Sequence, residues 1–235
     1  MSIEILRQTG RKALHMEPTK RPNAIAEMEL RSFWELIFSA LLLGSFGALS
    51  AIVFLGVTGV GAHWYGKAGF GWFEGEPWWI AAAVGAGLIV GLLRRAFTLP
   101  ARVPGLAEDL QLGTVDVKMV PRVAAVSAVS LIGGASLGPE AALSQIGGGA
   151  GTYLSERRGL DEESEKLSTR TGIAGTFGGL FSSSLMASIL VFEIGNPSKS
   201  MSAKTFLACL VASAASLGIY FTLIGTAFLG LYEVP

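Results

Sequence analysis

Three uncharged runs limit what this chain can become. Leu36–Ala62 (27 residues), Thr171–Phe192 (22) and Thr205–Tyr232 (28) contain no Asp, Glu, Lys or Arg. About 20 predominantly apolar residues in a helix cross the hydrocarbon core of a bilayer. Shorter or interrupted apolar runs occur at Trp78–Leu93, Val123–Pro139 and Ala141–Ser155. Backbone in hydrocarbon must satisfy its own hydrogen bonds, and a helix does so within one segment. The expected fold class is therefore all-α and integral to the membrane. The low charge supports this: 15% of residues are charged, against about 25% in soluble domains.

The same composition excludes several function classes. The formal net charge is zero, and no basic stripe marks a nucleic-acid partner. The lone Cys209 rules out an intramolecular disulfide. His15 and His63 lie far apart and lack metal-ligand spacing. No catalytic constellation and no cofactor motif is present, so neither an enzyme nor a cofactor is expected.

Residues 1–31 are polar and carry Arg7, Arg11, Lys12, Lys20 and Arg21. They are expected to form a cytoplasmic tail with a short amphipathic helix around residues 3–16, Pro18 and Pro22 interrupting any longer one. Residues 32–235 form the transmembrane domain. Its first helix is expected over about 32–62, roughly 45 Å long and therefore tilted. The link 63–77 and its flanks hold Trp64, Tyr65, Phe70, Trp72, Phe73, Trp78 and Trp79, an aromatic belt at one interface. Basic residues at the N-terminus, at Arg94-Arg95 and at Arg157-Arg158 place those three points on the cytoplasmic side. The chain is thus read as multi-pass in the cell membrane with a cytoplasmic N-terminus.

Between the full spans the pattern breaks up. Pro100, Pro104 and Gly105 predict a re-entrant turn and a short helix within 99–117. Residues 123–133 and 141–153 flank a Gly-Pro break at 138–139. The charged segment 155–166 reads as an aqueous loop, 171–180 and 184–193 as two short helices, and Ser182-Ser183-Ser184 as the cap of the second. Gly87/Gly91, Gly147/Gly151 and Gly175/Gly179 are small-xxx-small pairs suited to close helix packing. Irregular backbone at membrane depth is tolerated only where protein covers it or water fills a cavity, so this pattern calls for a pore or substrate cavity.

Glu140 is the candidate functional residue. It is the only charged residue between Arg122 and Glu156. An ionisable group at bilayer depth is costly and marks function by default. Gly138-Pro139 before it is a helix-start signature. A carboxylate is thus placed at the positive end of a helix beginning within the membrane, the arrangement from which anion sites are built.

The segment Gly138-Pro139-Glu140-Ala141-Ala142-Leu143-Ser144-Gln145-Ile146-Gly147-Gly148 resembles the filter motif of the chloride channel (CLC) family of anion channels and proton/chloride antiporters. That motif commonly reads Gly-Lys/Arg-Glu-Gly-Pro, then Gln-Ile-Gly a few residues later. The stretch from Thr171 to Glu193 resembles the family's next two helices, and the likeness extends more weakly over about 32–231. The resemblance implies a bundle of tilted full-length and broken half-helices, one of two inverted repeats. It makes Glu140 the gating carboxylate and chloride, or a similar small anion, the transported species. It places Gly138, Pro139 and Ala141 on the anion path, together with Ala101 and Val103 from a stretch, 100–104, similar to the family's Gly-Ser-Gly-Ile-Pro.

The departures have consequences. Pro139 replaces the basic residue before the glutamate, and Ala141-Ala142 replaces Gly-Pro. Ala101 stands where the family has an anion-coordinating serine. Glu193 is the first position of an acidic pair, and Ile194 occupies the second, where antiporters carry a proton-transfer glutamate. Ile194 cannot relay a proton, so passive, channel-like conduction is expected. The resemblance covers the first repeat only. It implies as partners a second repeat or another subunit, lipid around the bundle, and a homodimer of the complete protein. Two alternatives stay open: a non-conducting, degenerate membrane scaffold, and a proton-coupled anion exchanger. A third, an unrelated secondary transporter, would use Glu140 as a proton site.

Overall fold

The computed structural model describes residues 21–65, 78–135, 138–198 and 201–225. Eight helices and no strand are present among them: α1 (Arg21–Tyr65), α2 (Trp78–Ala96), α3 (Leu106–Leu112), α4 (Val120–Ile132), α5 (Glu140–Arg158), α6 (Glu162–Leu180), α7 (Ser184–Gly195) and α8 (Ser202–Ile224). The chain divides into two compact units, residues 1–36 and 37–235. The first contains the start of α1. The second contains everything described below.

Two stretches are long and apolar enough to cross a bilayer, Ser32–His63 within α1 and Ser202–Ile224. Large apolar side chains stay exposed at helical spacing, Leu49, Val53, Val57 and Val60 on α1 and Val84, Leu88 and Leu92 on α2. Such stripes suit hydrocarbon and not water. This is the all-helical membrane bundle that the sequence implies.

Several boundaries differ from the sequence reading. α1 begins at Arg21, with Pro22 in its first turn, where a missing N–H costs nothing. A proline in that turn is compatible with the expected interruption before it. The amphipathic helix expected at 3–16 and most of the aromatic link lie outside the described residues. The charged stretch 155–166 is mostly helix: α5 runs to Arg158, Gly159 closes it in the left-handed conformation (φ 60°), and α6 starts at Glu162. The charges sit well there, Arg157-Arg158 at a helix C-terminus and Glu162, Glu163 and Glu165 at an N-terminus. Consequently α6 has 19 residues, not the short helix expected from Thr171. Three other features lie where the sequence places them. The re-entrant turn precedes α3, the break at 133–139 separates α4 from α5, and Ser183 caps α7 by accepting from Met186 N–H at 3.2 Å.

α6 is the axis of the second unit. Every residue from Ser168 to Gly179 is buried, so the helix is covered on all sides. Three glycines make this possible. Residues three apart point about 60° from each other around a helix. A Cβ on Gly172 would meet the backbone of Gly147 on α5, one on Gly175 that of Leu43 and Gly44 on α1, and one on Gly178 that of Ser213 on α8. Three helices therefore touch α6 backbone to backbone. Leu143, Ile173, Phe177, Ala187, Val191 and Cys209 fill the core around it.

Buried polar side chains among the described residues are paired, the Thr205 hydroxyl excepted. Thr152 and Thr169 hydroxyls lie 2.8 Å apart, as do those of Ser188 and Ser213 at 2.9 Å. Arg170 is buried yet follows no apolar pattern. Its Nη2 donates to Gly195 C=O and its Nε to Leu110 C=O at 3.3 Å, so one guanidinium ties α6 to the end of α7 and to α3.

Candidate functional site

The site is assembled where the break in the α4–α5 pair meets the re-entrant turn. Pro139 occupies the N-cap position of α5 in αR geometry, and Glu140 is the first helical residue. The sequence placed the proline one position later in the helix. The first rung of α5 runs from Leu143 N–H to Pro139 C=O at 2.9 Å. The N–H groups of Glu140, Ala141 and Ala142 therefore precede the ladder, and no side chain caps them. Such a helix end carries about half a positive charge.

The Glu140 side chain does not extend away from this end. It folds back over Gly138, so that a Cβ at Gly138 would collide with its carboxylate. Only glycine leaves that resting place open. Glu140 is half-buried, Gly138 and Ala141 are exposed.

Beside the helix end lies a cavity of about 280 Å³. Gly138, Ala141 and Ala142 form one wall. Val103 and Pro104 from the turn form another, and Arg94, Ser127 and Ser130 bring polar groups from α2 and α4. Gly138, Ala141 and Val103 were thus expected at one site, and the structure brings them together. Ala101 is exposed and does not line the cavity. Its carbonyl accepts a hydrogen bond from Arg94 Nη2 at 2.8 Å, and Pro100 C=O accepts from the same nitrogen at 3.0 Å. Arg94 therefore holds the turn against the end of α2.

Arg94, Ser127 and Ser130 are absent from the sequence-based site. Arg94 was read only as a topogenic charge. Ser127 and Ser130 are three apart on α4, hence on one face, a signal available in sequence but shared with many serines. Neither hydroxyl makes a side-chain hydrogen bond among the described residues.

A second polar cluster lies just beyond the first turn of α5. Asp109 of α3 is 1% exposed. Both its oxygens lie 2.7 Å from Gln145 Nε2, and Ser144 Oγ donates to Oδ2 at 3.1 Å. No cation pairs with it among the described residues. The cluster pins α3, and hence the turn before it, to α5 four and five residues past Glu140.

Glu193 and Ile194 are not brought to this site. Glu193 is exposed near the end of α7 and forms no ion pair with Lys204 among the described residues. Lys199, the other expected partner, lies outside them. Ile194 packs against the apolar core, which is no place for a proton carrier.

No match to the chain was found among curated proteins. The family described as voltage gated chloride channel matches residues 86–235, which is more than half of the chain and includes the α5 N-terminus, the re-entrant turn and the whole cavity. With an all-helical membrane bundle built around a broken helix pair, this chain belongs to the voltage gated chloride channel family.

Proposed function

We propose that the protein conducts chloride or a similar small anion passively, with the Glu140 carboxylate as its gate. Family membership supports anion transport in general. The finer reading rests on one observation: the uncapped end of α5, with Glu140 folded over Gly138, opens beside a cavity lined by Arg94, Ser127 and Ser130.

The chemistry follows from competition for donors. A weakly hydrated anion can exchange part of its water for the amides of Ala141 and Ala142 and for the two hydroxyls. These hydroxyls take over what a serine at position 101 would have supplied. The Arg94 charge favours an anion nearby. An ionised Glu140 seeks the same N–H groups and repels the incoming anion. Protonated, it loses that attraction and leaves the path. Pro139 brings no N–H of its own, so the donors begin at Glu140. Val103 walls the path without competing for the ion. Ile194 has no proton to pass on, which supports conduction without obligatory exchange.

Gly138 and Ala141 are exposed, and uncovered amides in hydrocarbon cost several kcal/mol each. A second hydrophobic repeat or another subunit therefore covers this face in the working protein. We place the protein in the cell membrane as a multi-pass chain with a cytoplasmic N-terminus, on the strength of the basic clusters. Proton-coupled exchange is the second reading, favoured by the buried Asp109 carboxylate, which has no cationic partner among the described residues.

The test is chloride efflux from proteoliposomes holding the assembled protein, measured against pH, for wild type and Glu140→Gln. The expected result is a larger flux in the variant that no longer rises as pH falls. An unchanged flux–pH curve removes Glu140 from gating.

A further inference from the structure

A groove of about 610 Å³ lies where α1, α4 and α5 meet. Leu42 and Phe46 of α1, Val120 of α4, and Ile146, Ala150 and Tyr153 of α5 line it. Leu42, Phe46 and Tyr153 are nearly half exposed. From Ile146 to Leu154 the groove follows α5 for about 12 Å. Its lining is apolar throughout, a surface suited to a hydrocarbon chain.

Two cations stand at one end. The Arg157 guanidinium lies 5.2 Å from the centroid of the Tyr153 ring. Arg158 Nη1 donates to Ser39 Oγ at 2.6 Å, one turn before Leu42 and Leu43 on α1. The ring and the hydroxyl orient the two side chains and leave other guanidinium N–H groups open. Both arginines are exposed, and neither pairs with a carboxylate among the described residues. Of the acids at the start of α6, Glu162 pairs with Lys166 and Glu163 accepts from Ser198; Glu156, exposed beside Arg157 in the sequence, forms no ion pair among the described residues.

An apolar chain and an anion, joined in one molecule, fit this surface. We propose that the groove is a binding site for an anionic phospholipid, with one acyl chain between α1, α4 and α5 and the phosphate on Arg157 and Arg158. A zwitterionic lipid would fill the groove equally but bring no net charge to the arginines. A free anion would meet the arginines but leave the groove empty. This site is separate from the cavity at the α5 N-terminus, and it does not depend on how the protein conducts.

The assay is native mass spectrometry of the assembled protein, released from micelles with equal amounts of phosphatidylglycerol and phosphatidylcholine of identical acyl chains. One retained phosphatidylglycerol, preferred roughly fivefold or more, is expected, since each basic residue near a lipid surface contributes about 1 kcal/mol. Arg157→Gln with Arg158→Gln should bring the ratio to one while lipid still binds. Arg157→Lys with Arg158→Lys should keep the preference, which separates loss of charge from misfolding. Ala150→Phe should displace both lipids. Equal retention by the wild type, or preference surviving the double Gln change, would overturn the proposal. So would displacement of the lipid by free glycerol phosphate, which would mark a simple anion site.

Discussion

Adding a single methyl group at Gly172 should destabilise the bundle, and the structure says by how much. A Cβ built there stands 2.9 Å from the Gly147 carbonyl carbon and 3.3 Å from the Gly151 nitrogen, and closer still to the Gly147 oxygen. All three atoms are backbone of α5, so no rotamer change can relieve the clash. The helices must part by on the order of 1 Å, loosening the contacts of Leu143 with Ile173 and Phe177 in the core. Overpacking of this kind costs about 1–3 kcal/mol. Alanine returns up to about 1 kcal/mol through its better helix propensity. The net loss is on the order of 0–3 kcal/mol, and its midpoint of roughly 1.5 kcal/mol corresponds to a Tm lower by roughly 3–6 °C for a domain of this size. Gly87→Ala is the matched control. It too sits in a helix and a small-xxx-small pair, but nothing lies within 4 Å of its added Cβ, so it should hold or raise the Tm. The assay is thermal unfolding in detergent, followed by size-exclusion of the surviving fraction. If Gly172→Ala melts with or above Gly87→Ala, the claim of backbone contact between α5 and α6 is refuted.

Three further outcomes are expected. Under a pH gradient the reversal potential should follow the anion gradient alone, because Ile194 is apolar and packed; a shift by a fixed proton-to-anion ratio would establish coupling and point to Asp109. Asp109→Ala should strand the buried Gln145 amide, at about 1–3 kcal/mol for the lost acceptor, while the Ser144 hydroxyl keeps the Ala141 carbonyl at 2.9 Å; Asp109→Asn should cost less because the Gln145 amide can turn over, and unfolding midpoints of the two variants compare them. At the exposed start of α6, the Ser164 hydroxyl donates to Asp161 and holds its carboxyl below the ordinary value. A lowered folded pKa means stabilisation present above the unfolded value and lost as pH falls through the folded one, so the melting difference between wild type and Asp161→Ala should shrink on acidification from pH 7 to below about 4.

What could be read from the chain alone were properties carried by short stretches. Uncharged runs identified helices for hydrocarbon, Gly138-Pro139 marked the start of α5 to within one residue, and Ser182-Ser183-Ser184 announced a cap that Ser183 supplies. Glu140 stood out because a charge is rare in such surroundings. The charged stretch 155–166 misled because charge was taken to mean loop, whereas helix ends accommodate charge of the right sign. Other matters depended on which segments meet. Gly87/Gly91 and Gly147/Gly151 share one pattern, yet only the second pair faces another backbone. Arg94, Ser127 and Ser130 join the α5 end from two other helices, and Asp109 reaches Gln145 across 36 positions. Helix formation and membrane insertion respond to local composition, which a sequence displays. Close approach and the pairing of buried polar groups are properties of surfaces brought together from distant parts of the chain, and only the folded arrangement decides them.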